Sequence, residues 1–264
     1  MNKNRLLLIL SLAVGALSAE AQNFEIGVSL GATANSWYVS NTFAYPEINR
    51  NSIGISGVAA NETATYQYNW GLDLGFPVKI AILEPVALHS GLFLSQKNIR
   101  SSINRNSPEL EESIELDMST YLLRIPLSLG YRFELGEHQS LSPNLGAYLA
   151  IGLGGDYTAE VNVESYTGEA SGIEDRQVQG AVTYSTGIDE DNAPEYIFSN
   201  SYYLNLIDLG FHFGLKYRYR KAELSAAFKM GLVDTDPAIL LNIIDDTQTN
   251  RYNRTLLLTA AYYF

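Results

Sequence analysis

Three histidines, His89, His138 and His212, are the side chains in this 264-residue sequence with an ordinary pKa near neutrality. An enzyme acting on lipid or peptide would need one of them beside a nucleophile, with a third group to orient it. No serine with such a base can be read from the sequence. His138 falls in a short turn, and His89 and His212 fall inside strand patterns, where an interior hydrogen-bonding role is commoner. Cysteine is absent, which excludes thiolate chemistry, thiolate metal sites and disulfides. Asp189-Glu190-Asp191, Asp234-Thr235-Asp236 and Asp245-Asp246 offer hard oxygen atoms to calcium, but none has EF-hand spacing, and solvation of long loops is the plainer reading. Gly152-Leu153-Gly154-Gly155 ends a strand pattern and opens no helix, so it is no phosphate loop. The sequence therefore points to no catalytic residue, no metal and no cofactor.

The remaining chemistry is ionic, and it sits in an unusual place. "YLLRIPLSLGYRF", Tyr121 to Phe133, sets Tyr121, Leu123, Ile125, Leu127, Leu129, Tyr131 and Phe133 against Arg124, Pro126, Ser128, Gly130 and Arg132. A strand turns alternate side chains to opposite faces, so one face is apolar and the other small, polar or cationic. A helix would smear this pattern and reject the proline. Seven more segments alternate in the same way: 24–33, 69–82, 86–94, 145–153, 208–219, 223–232 and 255–264. Each approaches the 9–11 residues that cross a bilayer as a tilted strand, and an even total suits a single-chain bacterial barrel.

The connections alternate too. Glu84-Pro85, Glu134 to Ser140 and Arg220-Lys221 are short; 35–68, 98–117, 155–202 and 234–250 are long. Short turns on one rim and long loops on the other is the outer-membrane pattern. The fold class expected is all-β: an eight-stranded antiparallel up-and-down transmembrane β-barrel with four long outer loops. The N-terminus has Lys3 and Arg5, an apolar run from Leu6 to Leu17, and Ala19-Glu20-Ala21. That is a secretory signal peptide over 1–21, leaving 22–264 as the barrel.

The faces assign the solvent. With apolar side chains toward lipid, Glu25, Asp73, Lys79, Arg124, Arg132, Asp208, His212, Lys216, Glu223 and Lys229 all point inward. The reverse phase would place lysines and arginines in hydrocarbon at about 2–4 kcal/mol each. An eight-stranded barrel is just wide enough for side chains to fill it. These residues are therefore expected to form a lumen ion-pair network, because buried charges persist only when paired. Pro126 and Pro77 face inward without an N–H to donate, which predicts a bulge or gap in the ladder at each. The four long stretches hold 21 acidic and 4 basic residues, so they carry the acidity of a chain whose net charge is −12. An acidic surface argues against nucleic acid and leaves a protein or surface ligand as the expected loop partner.

"YLLRIPLSLGYRF" resembles the "YL-x-IPL-x-x-x-Y-x-F" strand of the PorT-like outer-membrane β-barrel family of Bacteroidota. "FGLKYRY" (213–219) resembles its "G-x-x-Y-x-Y" strand, and "NRTLLLTAAYYF" (253–264) its terminal strand. The resemblance implies an outer-membrane barrel and no established activity. It also implies that Tyr262 and Phe264 form a C-terminal signal for the barrel-assembly machinery. The expected location is the bacterial outer membrane, among its lipids, with both termini periplasmic. The expected function is non-enzymatic: a surface, scaffold or loop-mediated binding protein with a filled lumen. The alternative is a porin-like passive channel for small solutes.

Overall fold

The computed structural model describes residues 24–39, 61–106, 110–165, 172–185, 201–235 and 251–264. The expected signal peptide and the acidic clusters at 189–191 and 245–246 lie outside them, as does Asp236. The strands are β1 (Phe24–Val39), β2 (Asn61–Leu83), β3 (Val86–Asn106), β4 (Leu110–Tyr131), β5 (Phe133–Gly136), β6 (Gln139–Ser165), β7 (Gly172–Ser185), β8 (Ser201–Asn205), β9 (Ile207–Tyr219), β10 (Ala222–Gly231) and β11 (Arg251–Tyr263).

Eight of them close a ring. The hydrogen-bonded order runs β1, β2, β3, β4, β6, β9, β10, β11 and back to β1, each neighbour antiparallel to the next. The first and last strands seal it from Gly27↔Tyr263 to Val39↔Arg251. Closure leaves no exposed edge within the ring, which is what apolar surroundings demand of a sheet. Short turns join one rim; in the turn between β9 and β10, Arg220 takes the left-handed conformation at φ 53°.

Both inward prolines interrupt a ladder without shifting its register. Pairing of β3 with β4 stops at His89↔Ser128 and resumes at Phe93↔Arg124, leaving a gap opposite Pro126. Ser90 Oγ instead donates to the Pro126 carbonyl at 2.9 Å. Likewise β1 and β2 pair at Ile26↔Val78 and again at Ser29↔Gly75, skipping Pro77. In each case the other edge of the proline is paired, Pro126 with Tyr148 and Pro77 with Gly91. The missing N–H therefore costs the wall one side of one ladder.

Several stretches read from sequence as loops are strand. β3 and β4 run on as a paired ladder to Asn106↔Glu111, and β6 is 27 residues long, more than twice what a bilayer needs. The wall thus stands well above the apolar belt. The reading as loops failed because the pattern inverts while the strand continues. In β3 the odd residues face inward throughout. Below Gln96 they are Ala87, His89, Gly91, Phe93 and Ser95, with Leu92 and Leu94 outward; above it they include Ile99, with Asn98 and Arg100 outward. In β4 the even residues face inward. They are Arg124 and Ser128 at belt level, but Met118, Leu116 and Ile114 above it, with Asp117 and Glu115 outward. The apolar side follows whichever side of the wall is away from water. Outside is hydrocarbon at the belt and water above it.

β6 makes the same change with a device of its own. Leu122 pairs with Gly152 and Tyr121 with Gly154, so Leu153 is an extra residue. Gly154 carries φ +139°, which a side chain would resist. The bulge shifts the inward parity of β6 from even residues, such as Tyr148 and Ala150, to odd ones, such as Tyr157 and Ala159.

β7 returns along the upper part of β6, from Ser165↔Gly172 to Gly155↔Val182, and then pairs in parallel with β8. Their inner residues Val182, Tyr202 and Leu204 join Trp37, Ile99, Met118 and Tyr157 in one apolar core inside the upper barrel. The described parts of 155–202 therefore extend the wall, with Val182, Tyr202 and Leu204 on its inner face.

Candidate functional site

Inside the ring, ionisable side chains gather at successive heights. At the short-turn rim, Glu25 on β1 lies beside Arg218 on β9 and Lys79 on β2. Arg218 grips the carboxylate with both terminal nitrogens, one contact being very short and the other 3.0 Å. Lys79 Nζ stands 3.7 Å away. Arg218 also lies over the Tyr263 ring at 5.0 Å. One step deeper, Lys216 Nζ reaches Glu223 at 3.4 Å and His89 Nδ1 at 3.0 Å, and the Tyr263 hydroxyl donates to Glu223 at 3.3 Å.

The middle holds a buried pair. Arg124 donates through one terminal nitrogen to both oxygens of Asp73, at 2.9 and 3.0 Å, and its guanidinium covers the Phe93 ring at 4.5 Å. Ser95 Oγ donates to the same carboxylate in a very short contact. Asp73 is 0% exposed, so its charge depends wholly on these partners. Across the lumen, His212 Nε2 meets Asn144 Oδ1 at 2.9 Å. Higher up, Asp208 accepts from the Tyr148 hydroxyl at 3.2 Å and from Asn253 Nδ2 at 2.6 Å. Lys97 and Lys229 are buried among these groups.

Arg132 stands at the end of the expected network. It pairs with Glu84 at 3.1 Å and Glu134 at 3.2 Å at the short-turn rim, where its parity still points inward but the barrel is ending. Arg218, absent from the expected network, is its best-held cation at that rim; two residues from Lys216 on the same face, its alternation already placed it there. Asn144, Ser95 and Asn253 were likewise inward by parity. Their importance lies in bonding the charges, which face assignment does not reveal.

The inner face of β7 ends on Tyr184. Glycine at 152 leaves the space its ring fills: a Cβ there would stand 2.1 Å from the ring. Burial against Leu122, Tyr148 and Ala150 pushes the Tyr184 phenol up to about 12. On the outside of the upper wall, Arg100 holds Asp117 through two contacts of 2.6 and 2.8 Å, and this pairing raises the guanidinium pKa further. Exposed around them are Glu111, Glu115, Asp156, Glu160, Glu164 and Asp175. Among the described residues the lumen holds a mid-level cavity of about 60 Å³ between His89, Arg124, His212, Lys216 and Lys229, and an upper one of about 20 Å³ beside Tyr184. Tyr262 of β11 and Phe264 just after it are exposed, their rings 5.9 Å apart.

A family model described as "Outer membrane protein beta-barrel domain" matches residues 20–236. The chain belongs to that family. Membership in the outer-membrane barrel family agrees with the closed ring and its apolar belt and places the protein in the bacterial outer membrane. Among solved structures, the chain is similar to the attachment invasion locus protein Ail of Yersinia pestis, with 11% identity, 92% of this chain and 99% of that one covered, and a TM-score of 0.32. It is similar to Neisserial surface protein A at 12% identity, with 90% and 97% covered and a TM-score of 0.35. It is also similar to the outer membrane protease OmpT from Escherichia coli at 10% identity, with 92% and 97% covered and a TM-score of 0.46. No curated protein matches the chain.

Proposed function

We propose that this outer-membrane barrel is a non-enzymatic member of the PorT-like type, acting as a surface scaffold or binding protein through its raised acidic wall and long loops. The observation that carries this is the filling of the lumen at successive heights: Glu25 with Arg218 at one rim, Asp73 with Arg124 in the middle, and Tyr184 over Gly152 at the top. What a barrel cannot pass through its middle it can still present at its mouth. The outward acidic residues of β4, β6 and β7 form the surface such a partner would meet, a cationic protein or surface ligand rather than nucleic acid. The histidines support the non-enzymatic reading. His89 and His212 are buried and bonded to Lys216 and Asn144, and His138 lies in the short turn between β5 and β6. In this reading the short-turn rim, where Phe24 and Phe264 lie, is periplasmic. Tyr262 and Phe264 are what the barrel-assembly machinery meets, and 1–21 is the export signal.

The test is electrical. The pure mature protein in planar bilayers is expected to give no large, steady openings, and liposomes carrying it are expected not to swell in small sugars. Steady conductance or swelling would favour the passive channel instead. A pull-down of the intact barrel from its native membrane then identifies the partner.

A further inference from the structure

We propose that the mid-level lumen cavity is a binding site for a small monovalent inorganic anion such as chloride, held by the Lys229 ammonium. Charge counting at belt level leads there. Lys79 and Arg218 share Glu25, Arg124 holds Asp73, and Lys216 holds Glu223. The fourth carboxylate, Asp208, is occupied by Tyr148 and Asn253. The inward cations Lys97 and Lys229 remain, neither with a carboxylate at ion-pair distance among the described residues.

Lys229 is the better placed of the two. The residue is 5% exposed and lines the cavity of about 60 Å³; Asp73 and Asp208 attract it from a distance, and among the described residues no carboxylate or hydrogen-bond acceptor touches it. The cavity is a built one. Arg124 and His212 stand on its wall already tied to Asp73 and Asn144, so neither needs the ion. Ser225 and Thr259 add hydroxyls at a third side, bonded to each other.

A buried ammonium keeps its charge only where anions or hydrogen-bonding groups replace its hydration, and otherwise gives up its proton, so an anion in the cavity is what would hold Lys229 charged. The cavity has room for an ion and a few waters, a water needing about 10–15 Å³ by the same measure. It falls far below the roughly 300 Å³ of small organic ligand sites, which excludes sugars and peptides. Lys97 lines a cavity of about 20 Å³, too small for both an ion and its remaining hydration.

Crystals of the full mature barrel soaked in sodium bromide should give an anomalous peak in the lumen touching Lys229 Nζ. In parallel, the urea midpoint should rise saturably with chloride against isethionate at equal ionic strength. Lys229→Met should abolish that rise. Bromide found only on the outer surface, no halide-specific rise in the wild type, or an equal rise in Lys229→Met would each overturn the proposal. If Lys229→Met fails to fold, the bromide map of the wild type decides alone.

Discussion

At the scale of single residues, the Asp73–Arg124 pair is where the lumen is most sensitive. Both side chains are buried, with Ser95 and Phe93 against them. Removing one partner strands the other charge, so Arg124→Met should destabilise the barrel by about 3–5 kcal/mol. The double replacement Asp73→Leu with Arg124→Met should recover most of that, since a buried pair against an apolar pair is near neutral. Reversible urea unfolding in lipid vesicles measures both. That these residues face inward was legible from alternation alone; which charge meets which was not. Glu25 finds Arg218, 193 positions away, only because the strands close with a stagger. Alternation gives a side chain its face, while its height in the barrel comes from register. For the same reason Arg132 shared the inward parity of Arg124 yet stands at the rim with Glu84 and Glu134.

At the scale of strands, the informative feature is the inversion of β3, β4 and β6 as they leave the belt. Eight alternating segments were readable because each keeps one phase for about ten residues. Their continuations looked like loops because Ile99, Leu116 and Met118 carry the apolar pattern onto the opposite parity, among acidic residues that suggested solvent. Solvent was indeed there, but on the outer face of a continuing strand. The contrast can be measured on a single face of β4. Leu127 and Glu115 both point outward and are both exposed. Leu127→Arg should cost about 2–4 kcal/mol because it puts a cation near the bilayer midplane. Glu115→Arg should stay within about 0.5 kcal/mol, as surface changes do. Equal small effects from both would mean that water bathes the whole wall.

At the scale of the molecule, two solvents and one closed ring account for the arrangement. The belt is an inside-out barrel, greasy without and ionic within. The upper wall is an ordinary one, with Trp37, Tyr157, Val182 and Leu204 as its core and charges outside. The bulge at Gly154 marks the junction in β6, and β7 and β8 carry the upper wall on from it. Absence of native cysteine makes the junction directly testable by placing single spin-labelled cysteines from 113 to 131 along β4. In bilayers, labels at odd positions from 121 to 131 should collide with oxygen and be shielded from a water-soluble nickel chelate. Odd positions from 113 to 119 should reverse that preference, and even positions should be shielded from both. Ready access of the chelate to positions 123–129 would contradict the account.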